Sequence, residues 1–164
     1  MCCSTAVSIS IEGKNFWQTV SLPVKPSMIY NSKRAIHFVF AIPAIFLSCT
    51  LIALKIPFDP LSLFFLFAVP LSYSFFTAEL GLILNIRFPK FDWKNETAIV
   101  KQGLPVSLCV FGGMFLGLAP IFAMFSVSES FRTFISLAIT LFLSVTALIL
   151  HHRINKIELV QISE

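Results

Sequence analysis

Charge is scarce in this sequence. Asp, Glu, Lys and Arg supply 12% of its 164 residues, against roughly a quarter in a soluble domain, while 57% are hydrophobic and 19 are Phe. Mean hydropathy is +0.88. A water-soluble globular domain is excluded, because a core of this length cannot hide so much apolar surface from water; lipid is the solvent for most of the chain. A nucleic-acid module is excluded as well, since the 12 Lys and Arg stand singly between apolar blocks and form no basic stripe. The 4 cysteines show neither a disulfide framework nor a zinc spacing. Cys49 and Cys109 sit in apolar runs, where a thiol acts as a small hydrophobe, and Cys2 and Cys3 follow Met1 without a lipoprotein-type signal. No cleavable signal peptide is legible either: the opening residues carry Glu12 and several serines in place of a basic start and an apolar core. The phosphate loop Gly-x-x-x-x-Gly-Lys-Ser/Thr is missing, so the chain has no cradle of that kind for a nucleotide. Convergent acid, base and nucleophile groups, which a membrane-embedded enzyme needs, are missing too. No catalytic residue, metal or cofactor is expected.

What the sequence does have is long apolar runs. A membrane helix needs about 20 apolar residues, and four stretches qualify: 35–54, 61–86, 105–125 and 133–150. The expected fold is an all-α integral membrane protein, a four-transmembrane-helix bundle with short cytoplasmic interfacial helices. Pro57, Asp59 and Pro60 break the chain between the first two spans and predict an antiparallel hairpin; 126–132 predicts a similar link between the last two. The larger polar regions are then an N-terminal segment (1–34), a loop (87–103) and a tail (151–164). Lys and Arg are retained on the cytoplasmic side. Lys14, Lys25, Lys33, Arg34, Arg87, Lys90, Lys94, Lys101, Arg153 and Lys156 fall on one side of the four spans, and only Lys55 and Arg132 on the other. Both termini and the 87–103 loop are therefore expected in the cytoplasm of a multi-pass plasma-membrane protein. By the same count Asn95-Glu96-Thr97, which fits a glycosylation acceptor, lies on the wrong side for one and is read as chance.

Within the spans, Gly113 and Gly117 form a Gly-x-x-x-Gly pair that permits close helix approach, and Pro43, Pro70 and Pro120 predict kinks whose freed carbonyls need other partners. Glu79 is the only acid inside a span. It lies about 10 Å from the cytoplasmic end at helical rise, where an ionised carboxylate costs roughly 1–3 kcal/mol unless protonated or paired. It is expected to face other helices, with Ser72 on its face and Asn85 or Arg87 as partners, either as a proton or substrate contact or as a hydrogen bond within the bundle. His37, His151 and His152 fall at span ends, where polar rings are ordinary.

Two polar stretches are unusual for tethers. Over 11–26, Ile11, Phe16, Trp17, Val20 and Val24 form an amphipathic pattern with a Trp suited to the headgroup zone, and Pro23 and Pro26 redirect the chain toward the first span. Over 85–103, Asp92 or Asn95 can cap a short helix that Gly103 and Pro105 end. Both stretches resemble the cytoplasmic segments of permease subunits of bacterial ATP-binding-cassette (ABC) transporters, in the exporter class whose membrane subunit and ATPase are often separate chains. The anchors are Glu12-Gly13-Lys14 with Trp17 and Leu22-Pro23-Val24, then Phe88-Pro89-Lys90 with Asp92-Trp93, Asn95-Glu96 and Val100-Lys101-Gln102. The resemblance runs from about Ser10 onward and implies the C-terminal part of a permease, since in that family the Glu-Gly-Lys segment follows earlier spans. Val20 departs from the pattern, which has a basic residue before Ser-Leu-Pro.

The resemblance further implies that ATP is hydrolysed by a separate ABC ATPase subunit, and that a second permease segment or a second copy completes the pathway in the bilayer. The segments 16–20 and 95–102 become candidates for a stiff handle that receives the ATPase's motion. Its contact candidates are Glu12, Gly13, Lys14, Trp17, Pro23, Pro89, Asp92, Trp93, Glu96 and Lys101. The alternative reading is a small proton-coupled secondary transporter, acting as a dimer through the Gly113 to Gly117 face with Glu79 as the coupling carboxylate.

Overall fold

A computed structural model of the chain describes residues 4–21, 23–89, 103–125 and 129–157. The described elements are helical throughout. Two 3-10 turns, Ser4–Ala6 and Ser10–Asn15, lead into a short helix α1 (Phe16–Ser21), followed by α2 (Pro26–Lys55), α3 (Pro60–Arg87), α4 (Leu104–Phe125) and α5 (Glu129–Ile154). Three of these, Pro26–Lys55, Pro60–Arg87 and Phe131–Ile154, contain stretches long and apolar enough to cross a membrane, and Leu104–Leu118 in α4 is a shorter apolar helix.

The helix limits follow from proline placement. Pro26 and Pro60 each occupy the first helical turn, after Lys25 and Asp59 in extended conformation. Proline is tolerated there because an N–H at that position has no partner inside the helix. The α2–α3 link at 56–59 is accordingly short and makes the two helices antiparallel neighbours. The helix is longer than the apolar run expected to cross the membrane: α2 begins nine residues before position 35 and runs for 30 residues. Residues 26–34 mix Met28, Ile29 and Tyr30 with Ser, Asn, Lys and Arg and fall outside the apolar run, yet nothing between Pro26 and Pro43 breaks a helix. Likewise α5 extends beyond 133–150 at both ends.

Pro43 and Pro70 both lie inside helices. Pro70 has no N–H to give the carbonyl of Leu66, one turn earlier. The thiol of Cys49, on α2, takes that place at 3.3 Å from the Leu66 oxygen.

Polarity runs inside out relative to a soluble protein. Phe40, Phe115, Phe134 and Phe142 are all exposed, whereas Arg34, His37, Ser74, Thr77, Glu79 and Asn85 are buried. Apolar residues outside and polar residues between helices are what lipid as solvent selects. The helix α3 lies at the centre, packed against α2, α4, α5 and the N-terminal turn. At the end where α2 begins and α3 and α5 finish, Ile9, Phe16, Tyr30, Leu82 and Ile154 form one buried cluster. The apolar residues expected to line one face of an elbow are therefore divided: Phe16 enters this core, while its neighbour Trp17 is 63% exposed.

Candidate functional site

Glu79, on α3, is fully buried (0% exposed). Its Oε1 lies 2.8 Å from Arg34 Nε of α2 and 2.9 Å from His151 Nδ1 of α5. One carboxylate oxygen thus ties three long helices. Arg34 approaches in ion-pair range but off the line of a straight hydrogen bond, and its Nη1 donates to Asn31 Oδ1 at 2.5 Å and to Asn155 Oδ1 at 3.2 Å. Because the Asn155 oxygen serves Arg34, its amide nitrogen faces His151 Nε2, at 3.0 Å. That contact makes Nε2 the acceptor, leaving Nδ1 to donate its proton to Glu79. The tautomer of His151 is set by a residue one helical turn away. Glu79 Oε2 and Arg34 Nη2 are buried without a hydrogen-bond partner among the described residues.

The expected partners of Glu79 are thereby corrected. Arg87 is exposed at the end of α3, and Ser72 instead accepts from Ser144 Oγ at 3.2 Å. Asn85 is buried but holds the N-terminal segment: its Oδ1 accepts from Ser10 N at 3.1 Å and Ser10 Oγ at 3.2 Å, and its Nδ2 donates to the Ala6 carbonyl. Gly81, one turn before Asn85, has room for no side chain. A β-carbon there would collide with the Thr5 hydroxyl and come within 3.0 Å of the Ala6 amide nitrogen. Thr5, Ala6, Ile9 and Ser10 are consequently buried against α3.

The same segment turns outward at Gly13, whose φ of 52° lies in the left-handed region that favours glycine. Just before the turn, Glu12 is held from two sides. Lys33 Nζ of α2 pairs with Oε1 and also donates to the Ser8 carbonyl at 2.7 Å; Thr19 Oγ1 donates to Oε2 at 2.7 Å. Glu12 is therefore an internal fastening, and Gly13 a fixed corner. Trp17 and Pro23 face outward. Pro89 is half-buried just after α3. The side chain of Lys14 and all of Asp92, Trp93, Glu96 and Lys101 lie outside the described residues.

A cavity of about 490 Å³ opens between α2 and α3 beside Gly117 of α4. Its walls include Phe40, Ala44 and Val69, and its polar groups are His37, Tyr73, Ser74 and Thr77. His37 Nε2 lies 3.2 Å from Ser74 Oγ, and its Nδ1 lies 3.4 Å from Ser4 Oγ of the N-terminal turn. Tyr73 OH donates to the Gly113 carbonyl and would stand 3.3 Å from a β-carbon at Gly117. The small-residue face of α4 is therefore met by Tyr73 of the same chain. Among the described residues, no group of three or more His, Cys, Asp and Glu is placed to hold a metal ion.

Arg34, Asn31, His151 and Asn155 are the site residues that sequence reasoning missed as partners. A usable signal was present: a lone acid inside a span needs a cation from another helix, and Arg34 and His151 both lie within a residue of an expected span end. No protein-family model matches the chain, and no curated protein and no solved structure matches it. The class defined by the fold is an all-α chain with the apolar helices of a multi-span membrane protein.

Proposed function

We propose that the chain is a membrane-spanning permease subunit, the C-terminal portion, of an ATP-driven ABC transport system, coupling a separate ATPase to export across the plasma membrane. On this reading α2 to α5 are four spans, both termini and the 87–103 loop are cytoplasmic, and a further permease segment or a second copy completes the pathway. Support comes from the resemblance around Glu12-Gly13-Lys14 and Asp92-Trp93, and from one observation above all. The elbow that carries Trp17 is fastened to α2 through Lys33 and Glu12, and the segment leading into it is fastened to α3 through Asn85. A partner's motion passes to the helices only through an element that does not flex. An exposed Trp on an elbow clamped to two spans meets that demand.

The reading is tested by expressing the chain together with a separate ABC ATPase subunit from the same genome and purifying through the chain. ATPase is expected to co-purify with wild type and to fall several-fold with Trp17→Ala and with Trp93→Ala. Equal recovery from all three removes the coupling assignment. The proton-coupled alternative draws on Glu79 Oε2 and Arg34 Nη2, which have no hydrogen-bond partner among the described residues. Arg34 at 2.8 Å makes Glu79 an inter-helix tie in preference to a free carboxylate. Loss of ATP-independent, proton-driven transport in vesicles on Glu79→Gln would favour that alternative.

A further inference from the structure

The cavity between α2 and α3 has one polar end in otherwise apolar walls, and it is used by none of the contacts argued above to couple an ATPase. Its volume of about 490 Å³ falls within the ~300–1,000 Å³ typical of small-molecule sites. Ala41 and Ala44 of α2 leave it wide, and Val69 and Pro70 of α3 form the facing wall. At the polar end His37, Ser74 and Thr77 converge, all three buried.

Depth decides what such an end can recognise. Ser74 lies thirteen residues before the end of α3, about 20 Å at helical rise, and His37 Nε2 is 3.2 Å from its hydroxyl. In a hydrocarbon layer of about 30 Å, that is well below the headgroups if the helices cross it. A two-chain phospholipid keeps its charged head at the interface and cannot present it here. A single chain with a small head can. The chemistry of the head follows from its neighbours. Thr77 Oγ1 donates to the Ser74 carbonyl and keeps lone pairs to accept with, while the Ser74 hydroxyl is engaged by His37 Nε2 and can rotate. A group that both donates and accepts is matched by the two hydroxyls, whereas an ionised head at this depth would lose its hydration at high cost.

We propose that this cavity binds a single-chain amphiphile with an uncharged hydroxyl or amide head, the head lodged among His37, Ser74 and Thr77 and the tail along Ala41, Ala44 and Val69. As the transported cargo this ligand rests on the transport reading; as a ligand it does not.

The test uses the full chain in nanodiscs and a long-chain fatty alcohol bearing a photoreactive diazirine, with adducts mapped by mass spectrometry. Labelling is expected on 40–45 and 69–77, abolished by excess unlabelled alcohol. Ala44→Trp, which fills the cavity, is expected to lower it at least tenfold. Thr77→Val, which keeps the shape and loses the hydroxyl, is expected to weaken binding about three- to tenfold, the usual worth of one hydrogen bond, and this isosteric change decides if the bulky variant does not fold. An alkane probe of the same length is expected to label the site more weakly than the alcohol. Labelling spread over outer positions such as Phe115 and Phe142 and unmoved by competitor or variants overturns the proposal, as does equal competition by a two-chain phospholipid. Since the readout needs no ATPase, loss of site labelling sinks the site whatever the co-purification shows, and failed co-purification leaves the site standing.

Discussion

Thr5 rests on Gly81 with no space between them: any side chain at position 81 would strike the Thr5 hydroxyl and press on the Ala6 amide nitrogen. The absence of a side chain on α3 is what lets the N-terminal segment bury four residues against it. Gly81→Ala is expected to destabilise the protein by about 1–3 kcal/mol, the range for overpacking, read as a lower thermal midpoint in detergent. Thr5→Ala in the same chain is expected to restore part of the loss, because it removes the hydroxyl but not the Ala6 backbone. Additive single effects would show that the two residues are not in contact.

The Glu12–Lys33 pair is a second fastening of the same segment. Both side chains are largely buried, at 24% and 11% exposure, so solvent screens the pair less than a surface salt bridge. A double-mutant cycle with Glu12→Gln and Lys33→Met is expected to give a coupling of about 1.5–3 kcal/mol, as for hydrogen bonds to charged groups. Both single variants should also speed proteolysis between Ser10 and Pro23. A coupling near zero, with unchanged proteolysis, would show that the elbow is held by something else.

Removing one member of the Glu79 cluster strands the others. Glu79→Ala leaves the Arg34 guanidinium buried without its counter-ion and is expected to cost about 3–5 kcal/mol. His151→Ala loses a single hydrogen bond to the carboxylate and is expected to cost about 1–3 kcal/mol. The double change Glu79→Leu with Arg34→Met should recover most of the stability, because a buried pair exchanged for apolar residues is often neutral. Thermal unfolding in one detergent ranks the three. A double variant as unstable as Glu79→Ala would contradict the pairing.

The long helices and their breaks at Pro57 and Pro60 were legible because hydropathy and proline are local signals. The start of α2 was not, since Lys33 and Arg34 look like solvent-facing polar residues and are in fact turned inward, Lys33 to Glu12 and Arg34 to Asn155 and Glu79. Glu79 stood out as a lone acid in an apolar run, but its partners lie 45 positions before it and 72 after it; their places at span ends marked them as candidates, and only the packing of the helices selects them. Thr5 and Ser10 are polar residues outside every expected span. Both are nonetheless buried, because the Asn85 amide and the gap at Gly81 accommodate them, a complementarity visible only once α3 is in place.

Sidedness tests most directly the proposal that the clamped elbow and the Glu79 cluster lie at the cytoplasmic end of the helices. Single cysteines placed by Trp17→Cys and by Asp59→Cys, in a chain whose four native cysteines are replaced by serine or alanine, can be probed with a membrane-impermeant maleimide. In intact cells Asp59→Cys is expected to label and Trp17→Cys to stay unlabelled, with the pattern reversed in inside-out vesicles. Labelling of Trp17→Cys from outside intact cells would contradict the placement of the elbow, and with it the ATPase-coupling role proposed for it.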